Sequence, residues 1–290
     1  MCPLDKHWIT RSFDQAAAHY EKYAILQQTV AGRLLERLDL IKINPCWIVD
    51  IGAGTGMTAR SLEKKYKSSQ VLQIDISWLM LRHSRTQEKK FFSRQHYIRA
   101  DMEKVPVSDD SIDLVFSSLT YQWSNDLDRV YSEACRFLTP NGPLVFAMLG
   151  PDTLKELRTS WAAVDDDIHV NDFIDMHDVG DALARAGFQD IVMDVENITL
   201  EYPDCIQLMR ELKRVGARNV NTSRQKSLTG KNKMQQMITA YEQFRQNGML
   251  PATYEVVYGL AWKPVIGRTR QAGGVSYVPV EKIKKTNERL

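Results

Sequence analysis

The residues best able to do chemistry stand together at Asp50-Ile51-Gly52-Ala53-Gly54-Thr55-Gly56. An acid followed by three alternating glycines makes a tight turn that a ligand can approach without side chains in the way. A helical pattern over residues 57–66 starts immediately behind it. The turn therefore also offers unpaired backbone N–H groups and a partial positive charge. Such a site suits a nucleotide-like ligand. Spacing narrows the choice. A dinucleotide fingerprint needs Gly-x-Gly-x-x-Gly, but here the glycines fall at 52, 54 and 56 and position 57 is Met. The Gly-Lys-Ser/Thr of a Walker loop is missing too. An acid ahead of the first glycine repels phosphate and suits a cationic amino group. Asp75 closes an apolar run over 70–75, roughly 20 residues beyond the glycines, where a carboxylate can grip ribose hydroxyls. Asp101 stands near the end of a third run, 97–102.

Positioning three acids in this way requires a sheet. Strands are predicted at 46–51, 70–75, 97–102, 111–118 and 143–149, with helical patterns between them, such as 126–138. Strand and helix alternate, so the fold is α/β with a parallel, doubly wound sheet and its ligands at the carboxyl ends of the strands. Glycine turn and ordered acids together resemble the class I S-adenosylmethionine-dependent methyltransferases. That resemblance implies a Rossmann-like, seven-stranded, mostly parallel sheet. It implies Asp50 near the methionine amino group, Asp75 on the ribose hydroxyls and Asp101 on the adenine amino group. Gly52, Gly54, Gly56, Ile76, Met102 and Ser117 complete the cofactor site it implies.

The chain divides into five stretches. Residues 1–45 are predicted to be helical, with Phe13, Ala17, Tyr20 and Ala24 on one face and Val30, Leu34 and Leu38 on another. They precede the sheet and can lie over its cofactor cleft. Residues 46–202 form the core, with a sixth strand near 191–202. The interval 203–252 carries two helical patterns and reads as a helical lid inserted before the last strand, 253–263. Residues 264–290 form a basic tail expected to be poorly ordered.

Composition sets limits. With 290 residues, 43% hydrophobic, the chain can bury a sizeable core. Its apolar runs are too short to cross a bilayer. The net charge of +2 produces no overall field demanding nucleic acid. The cysteines (Cys2, Cys46, Cys135, Cys205) are scattered without metal-binding spacing, so neither metal nor disulfide is expected, and Cys46 and Cys135 read as small core residues. Residues 1–7 resemble neither a secretion signal nor a transit peptide, so a cytoplasmic protein is expected. Charge is uneven in one place. Between 210 and 233 stand Arg210, Lys213, Arg214, Arg218, Arg224, Lys226, Lys231 and Lys233, with Glu211 as the single acid. On a helix, Arg210, Lys213 and Arg214 share a face opposite the stripe Leu208, Leu212 and Val215, which suits an acidic partner. The run holds no aromatic residue to stack on bases.

Three segments carry a narrower resemblance: 13–21 with Gln27, 150–158 (Gly-Pro-Asp-Thr-Leu-Lys-Glu-Leu-Arg) and 208–217 (Leu-Met-Arg-Glu-Leu-Lys-Arg-Val-Gly-Ala), together with Gln122-Trp123. They are similar to the malonyl-acyl-carrier-protein O-methyltransferases that prime the pimeloyl route to biotin, over most of residues 10–262. One departure is Arg218-Asn219, where the family often carries a polar pair such as Asn-Asn after Gly-Ala. The resemblance implies methyl transfer from S-adenosylmethionine, leaving S-adenosylhomocysteine, to the free carboxylate of a malonyl thioester on an acidic acyl carrier protein. That carrier is expected to dock on Arg210, Lys213 and Arg214, with no nucleic acid or membrane involved. A carboxylate is already ionised at neutral pH, so no general base is required. Arg158 is expected to hold it through charge-assisted bonds and Tyr20 to donate a phenolic hydrogen bond. Two alternatives stay open: another small carboxylic acid or a phenol as acceptor, and a non-methylating assembly factor or arginine-modifying relative.

Overall fold

The computed structural model describes residues 3–88, 93–224, 229–265, 270–272 and 275–277. Three helices come first: α1 (Lys6–Ala16), α2 (Tyr20–Tyr23) and α3 (Ile25–Arg37). The sheet begins with β1 (Trp47–Ile51), followed by α4 (Met57–Lys65), β2 (Gln70–Asp75), α5 (Trp78–Thr86) and β3 (Gln95–Arg99). It continues through β4 (Leu114–Ser118), α6 (Leu127–Phe137), β5 (Pro143–Leu149), α7 (Lys155–Ala162), α8 (Met176–Arg185) and β6 (Gln189–Tyr202). Then come α9 (Cys205–Arg214), α10 (Lys231–Tyr241) and β7 (Leu250–Trp262), and last a short hairpin of β8 (Arg270–Ala272) and β9 (Val275–Tyr277).

The seven strands β1 to β7 form one sheet in the order β3-β2-β1-β4-β5-β7-β6. Strands β1 to β5 are parallel, and β7 runs antiparallel to both β5 and β6. Six strands thus end at one edge. The chain between β6 and β7, including α9 and α10, leaves from that edge. Both faces of the sheet are covered. Ile48, Leu114 and Phe116 pack beneath α3 and α4, while Val49, Val115 and Phe146 pack beneath α6 and α8. This double burial is why the strands read as continuous apolar runs.

Several boundaries differ from expectation, each for a local reason. β3 stops at Arg99, because Asp101 Oδ1 accepts the Glu103 N–H at 3.0 Å and turns the chain. β4 starts at Leu114, because Asp113 Oδ2 accepts the N–H groups of Cys46 and Trp47 at 2.8 and 2.9 Å instead of continuing a strand. Cys46 lies before β1 at the uncovered amino edge and is exposed, so it is not a core residue. The Phe13–Ala24 stripe is not one helical face: the chain turns over residues 17–19 despite three consecutive alanines. Tertiary packing overrides helix propensity there. The tail expected to be poorly ordered falls largely outside the described residues, and the described part holds the β8–β9 hairpin. Cys2 and Lys226 also lie outside them.

α3 shows what anchors the N-terminal helices. Leu26, Val30, Leu34 and Leu38 recur at helical spacing, and Val30 and Leu34 are fully buried against the sheet. Leu34→Ala should lower unfolding free energy by about 2–5 kcal/mol, the scale for emptying a leucine-sized core volume. Denaturant unfolding checks this, and a change under half a kcal/mol would mean α3 is not part of the cooperative core.

Candidate active site

The carboxyl ends of β1, β2 and β4 open into a cavity of about 120 Å³. Gly52 and Gly54 form its floor, Asp75 and Ile76 one side, Ala100 to Met102 the next, and Ser118 to Thr120 the opposite side. The roof comes from before the sheet: Lys6, Ile9 and Phe13 of α1, and Tyr20 of α2. Their spacing places the three α1 residues on one helical face, which was the readable signal for a roof. Ties hold it down. Lys6 Nζ lies 2.5 Å from both Asp101 Oδ2 and Glu103 Oε2. Asp14 Oδ1 accepts the Ser77 hydroxyl at 2.6 Å and the Leu79 N–H at 3.1 Å. Leu4 and Asn125 exchange two hydrogen bonds, at 2.6 and 3.0 Å.

The floor is electrostatically unbalanced. Asp50 is 1% exposed and its Oδ2 has no hydrogen-bond partner among the described residues. Burial, reinforced by the neighbouring Asp75 charge, holds the Asp50 carboxyl well above the ordinary range. Burial also pushes Asp75 up to about 6, although it accepts the Ser77 N–H at 2.8 Å and the Gly54 N–H at 2.9 Å. Burial first, then the Asp75 charge, raises the Tyr20 phenol. Its hydroxyl therefore keeps its proton and remains a donor.

The glycines have different tasks. Gly54 has φ +55°, and nothing lies within 4 Å of where a Cβ would stand, so its bareness serves the open cavity. At Gly56 a Cβ would come 1.8 Å from Ser84 Oγ. That glycine lets the start of α4 pack against α5, and it does not line the cavity. The orphaned acid, the bare backbone at Gly54 and the Asp75 carboxylate together fit a ligand carrying a cationic amino group and hydroxyls.

A second cavity adjoins the first and shares Gln27, Trp123, Leu149, Val215 and Ala217 with it. Its walls are mainly apolar, including Leu157, Phe173, Leu200 and Tyr254, with polar groups that include His169, Asn171, Arg218 and Asn219, and with Glu211, whose Oε1 accepts the Tyr202 hydroxyl. His169 stacks on Trp161 with ring centroids 3.6 Å apart and bonds Asp165 at 2.7 Å. Asp165, Asp167 and His169 bring ligand-type atoms within 4.8 Å of one another, but Lys233 already bridges the two acids at 2.7 and 3.6 Å. Lys233, foremost, pulls the Asp165 carboxyl down to about 2.

Placement of the expected residues is uneven. Tyr20, Gly52, Gly54, Asp75, Ile76, Asp101 and Met102 line the first cavity. Asp50 lies beneath its lining. Ser117 is fully buried and donates to the Ile51 carbonyl at 3.1 Å, so the neighbouring Ser118 lines the space instead. Arg158 lines neither cavity. Its guanidinium donates to the Pro151 and Thr153 carbonyls at 2.8 and 3.2 Å, bracing the loop that enters α7. An arginine one turn into a helix finds those carbonyls before it finds a distant ligand, so the structure does not bring Arg158 to either cavity. Arg210, Lys213 and Arg214 are all exposed on α9, and the Arg214 guanidinium stands 4.3 Å over the Tyr23 ring. Lys6, Ile9, Thr120 and the contribution of Arg218 were not anticipated.

Comparisons with known proteins agree with this geometry. A family described as a methyltransferase domain matches residues 49–146. The malonyl-[acyl-carrier protein] O-methyltransferase of Methylovorus sp. is 47% identical over 266 residues, 90% of each chain. The protein of that name from Laribacter hongkongensis is 47% identical over 267 residues, again 90% of each. Among solved structures, Bacillus subtilis YcgJ superposes with TM-score 0.59 at 18% identity, covering 82% of this chain and 99% of its own. A Haemonchus contortus phosphoethanolamine N-methyltransferase 2 in complex with S-adenosyl-L-methionine gives TM-score 0.51 at 20% identity, covering 81% of this chain and 52% of its own. At such identities the structures show a shared fold. Among the described residues no helix is long and apolar enough to cross a membrane.

Asp50 makes a stability prediction with a definite sign. Its raised pKa means the folded protein keeps a proton that the unfolded chain has already released, so Asp50 weakens folding increasingly as pH rises above the ordinary carboxylate range. Without ligand, Asp50→Asn should be more stable than the parent by about 1–3 kcal/mol near pH 8, the scale of an unpaired buried polar group, with the gain fading toward about pH 4. Urea melts at both pH values check it. An equal gain at both would assign the effect to packing.

Proposed function

The chain belongs to the malonyl-[acyl-carrier protein] O-methyltransferase family, and from that premise we propose that it methylates the free carboxylate of a malonyl thioester on acyl carrier protein. The observation that carries this reading is the pair of adjoining cavities, one floored by buried acids and the other apolar with a polar edge. When bound in the first, S-adenosylmethionine supplies a methyl on a cationic sulfur, which an acceptor oxygen takes as the bond electrons stay on a neutral thioether.

The chain's own residues bind and orient. Asp50 and Asp75 offer carboxylates to a cationic amino group and to ribose hydroxyls, and Asp101 shares its charge between Lys6 and an adenine amino group. The roof of α1 and α2 excludes water. The acceptor carboxylate arrives ionised, so no residue need remove a proton. Holding its oxygen in line with the methyl is the main requirement, and such orientation supplies several kcal/mol. Tyr20, protonated and lining the cavity, can donate to that oxygen. Anion and cation combine into two neutral products, so an apolar surround favours the transfer, and the ester leaves without a charge to hold it.

The carrier's approach is assigned to the exposed face of α9. Glu211, the one acid of that stretch, turns inward and accepts the Tyr202 hydroxyl at 2.8 Å, leaving Arg210, Lys213 and Arg214 outermost. A reducing cytoplasm suits this chemistry, and Cys46, Cys135 and Cys205 are free thiols.

Incubating the enzyme with S-adenosylmethionine and malonyl-carrier protein should add one methyl to the acyl group, read by intact-protein mass spectrometry. An unchanged mass would remove this substrate. Reversing Arg210, Lys213 and Arg214 to Glu should raise KM for the carrier-bound substrate on the order of tenfold at low salt, with little effect on a small malonyl thioester. Equal damage to both substrates would make the patch structural.

A further inference from the structure

With Arg158 committed to the Pro151 and Thr153 carbonyls, the carboxylate lacks a partner, and the second cavity offers one. We propose that Arg218, with His169 beside it, holds the free carboxylate of the acyl group there. This rests on the malonyl-thioester reading above and names the residues that make it selective.

Backbone stitching brings the two together. Asn219 donates to the Ile168 carbonyl at 2.5 Å, Asn171 donates to the Arg218 carbonyl at 3.2 Å, and the Val220 N–H donates back to Asn171 Oδ1 at 3.2 Å. The segments around 168–171 and 218–220 are thereby fixed side by side. Arg218 and His169 both line the second cavity and the open groove leading out of it, where Lys213 of the basic α9 face also stands. The groove gives a thioester arm a way in beside Lys213, so that the carboxylate at its tip reaches Arg218 where Ala217, its chain neighbour, forms part of the wall shared with the first cavity.

Charge accounting singles out Arg218. Of the lysines and arginines lining the two cavities, Lys6 is paired with Asp101 and Glu103, whereas Arg218 has no ion-pair partner among the described residues. Among the described residues its buried Nε–H has no acceptor, and the side chain makes one hydrogen bond, from Nη2 to Gln15 Oε1 at 3.3 Å. A buried guanidinium donor without an acceptor is unfavourable, and a carboxylate supplies two acceptor oxygens in matching geometry. His169 is held for a second contact. Its ring is clamped between the Trp161 face and Asp165 Oδ1, which takes Nε2 and leaves the other ring nitrogen unpartnered among the described residues.

The test compares malonyl- and acetyl-carrier protein, which share the same arm and differ in the terminal carboxylate. Binding is measured by calorimetry with S-adenosylhomocysteine present, and turnover with S-adenosylmethionine. Wild type should bind the malonyl form at least tenfold more tightly. Arg218→Ala should remove most of that preference and raise KM more than it lowers kcat, with S-adenosylhomocysteine affinity unchanged. Arg218→Lys should restore part of it, and Arg218→Ala/His169→Asn should bind both carriers alike. A retained preference in the double variant overturns the proposal. Equal weakening of both carriers also overturns it, placing Arg218 on the arm's phosphate. Failure of the wild type to methylate malonyl-carrier protein would instead sink the substrate reading, a separate outcome.

Discussion

Everything in this site is arranged around two neighbouring carboxylates, Asp50 sealed beneath the cavity and Asp75 half-buried in its wall. Asp50 and Asp75 sit at the ends of adjacent parallel strands under the roof, and the Asp75 charge adds to the burial that makes Asp50 hard to ionise. Hydration cannot relieve Asp50, which is 1% exposed, whereas Asp75 lines the cavity and is met by the backbone N–H groups of Gly54 and Ser77. Such a pair is tolerable because the strands, buried on both faces, cannot move to expose it. A cationic ligand with hydroxyls completes what the protein leaves open. An uncompensated acid of this kind weakens the ligand-free fold, in keeping with polar groups held at a functional site against stability.

The roof follows from the same constraint. Low dielectric requires water to be kept out, and the sheet alone leaves its carboxyl edge open. The segment ahead of β1 closes it through Lys6, Asp14, Glu21 and Leu4. Each tie joins a charged or backbone group to the rim. Lys6 pairs with Asp101, so roof closure draws on a carboxylate that also lines the cavity. Exposed pairs of this kind contribute little stability singly. Their worth lies in the position they impose.

The chain between β6 and β7 stands on a firm base. The β6–β7 pairing runs from Gln189 opposite Trp262 to Tyr202 opposite Leu250, with one irregularity near its start. α10 packs beside α7, and Tyr241 bonds the Pro251 carbonyl at 2.8 Å. Buried Glu156 accepts the Thr253 N–H at 3.1 Å and its hydroxyl at 2.5 Å, tying α7 to β7. These bonds hold the loop braced by Arg158 and set the wall of the second cavity.

The sequence by itself determined the α/β alternation, the acid-glycine turn, the acids at 75 and 101, and the basic face of α9. Each depends on neighbours along the chain: a run of apolar residues, a glycine spacing, a helical repeat. It also carried the family, because segments such as 150–158 are distinctive as strings. Only the tertiary structure decided which of these residues meet. Arg158 and Arg218 are alike in type and both follow distinctive motifs, yet one turns back onto its own loop and the other reaches a cavity. Lys6 meets Asp101 across 95 residues of chain, and Ser117 loses its place to Ser118 because successive residues of a strand point to opposite faces. Side-chain direction and long-range contact arise from packing the elements together, and no local pattern encodes them.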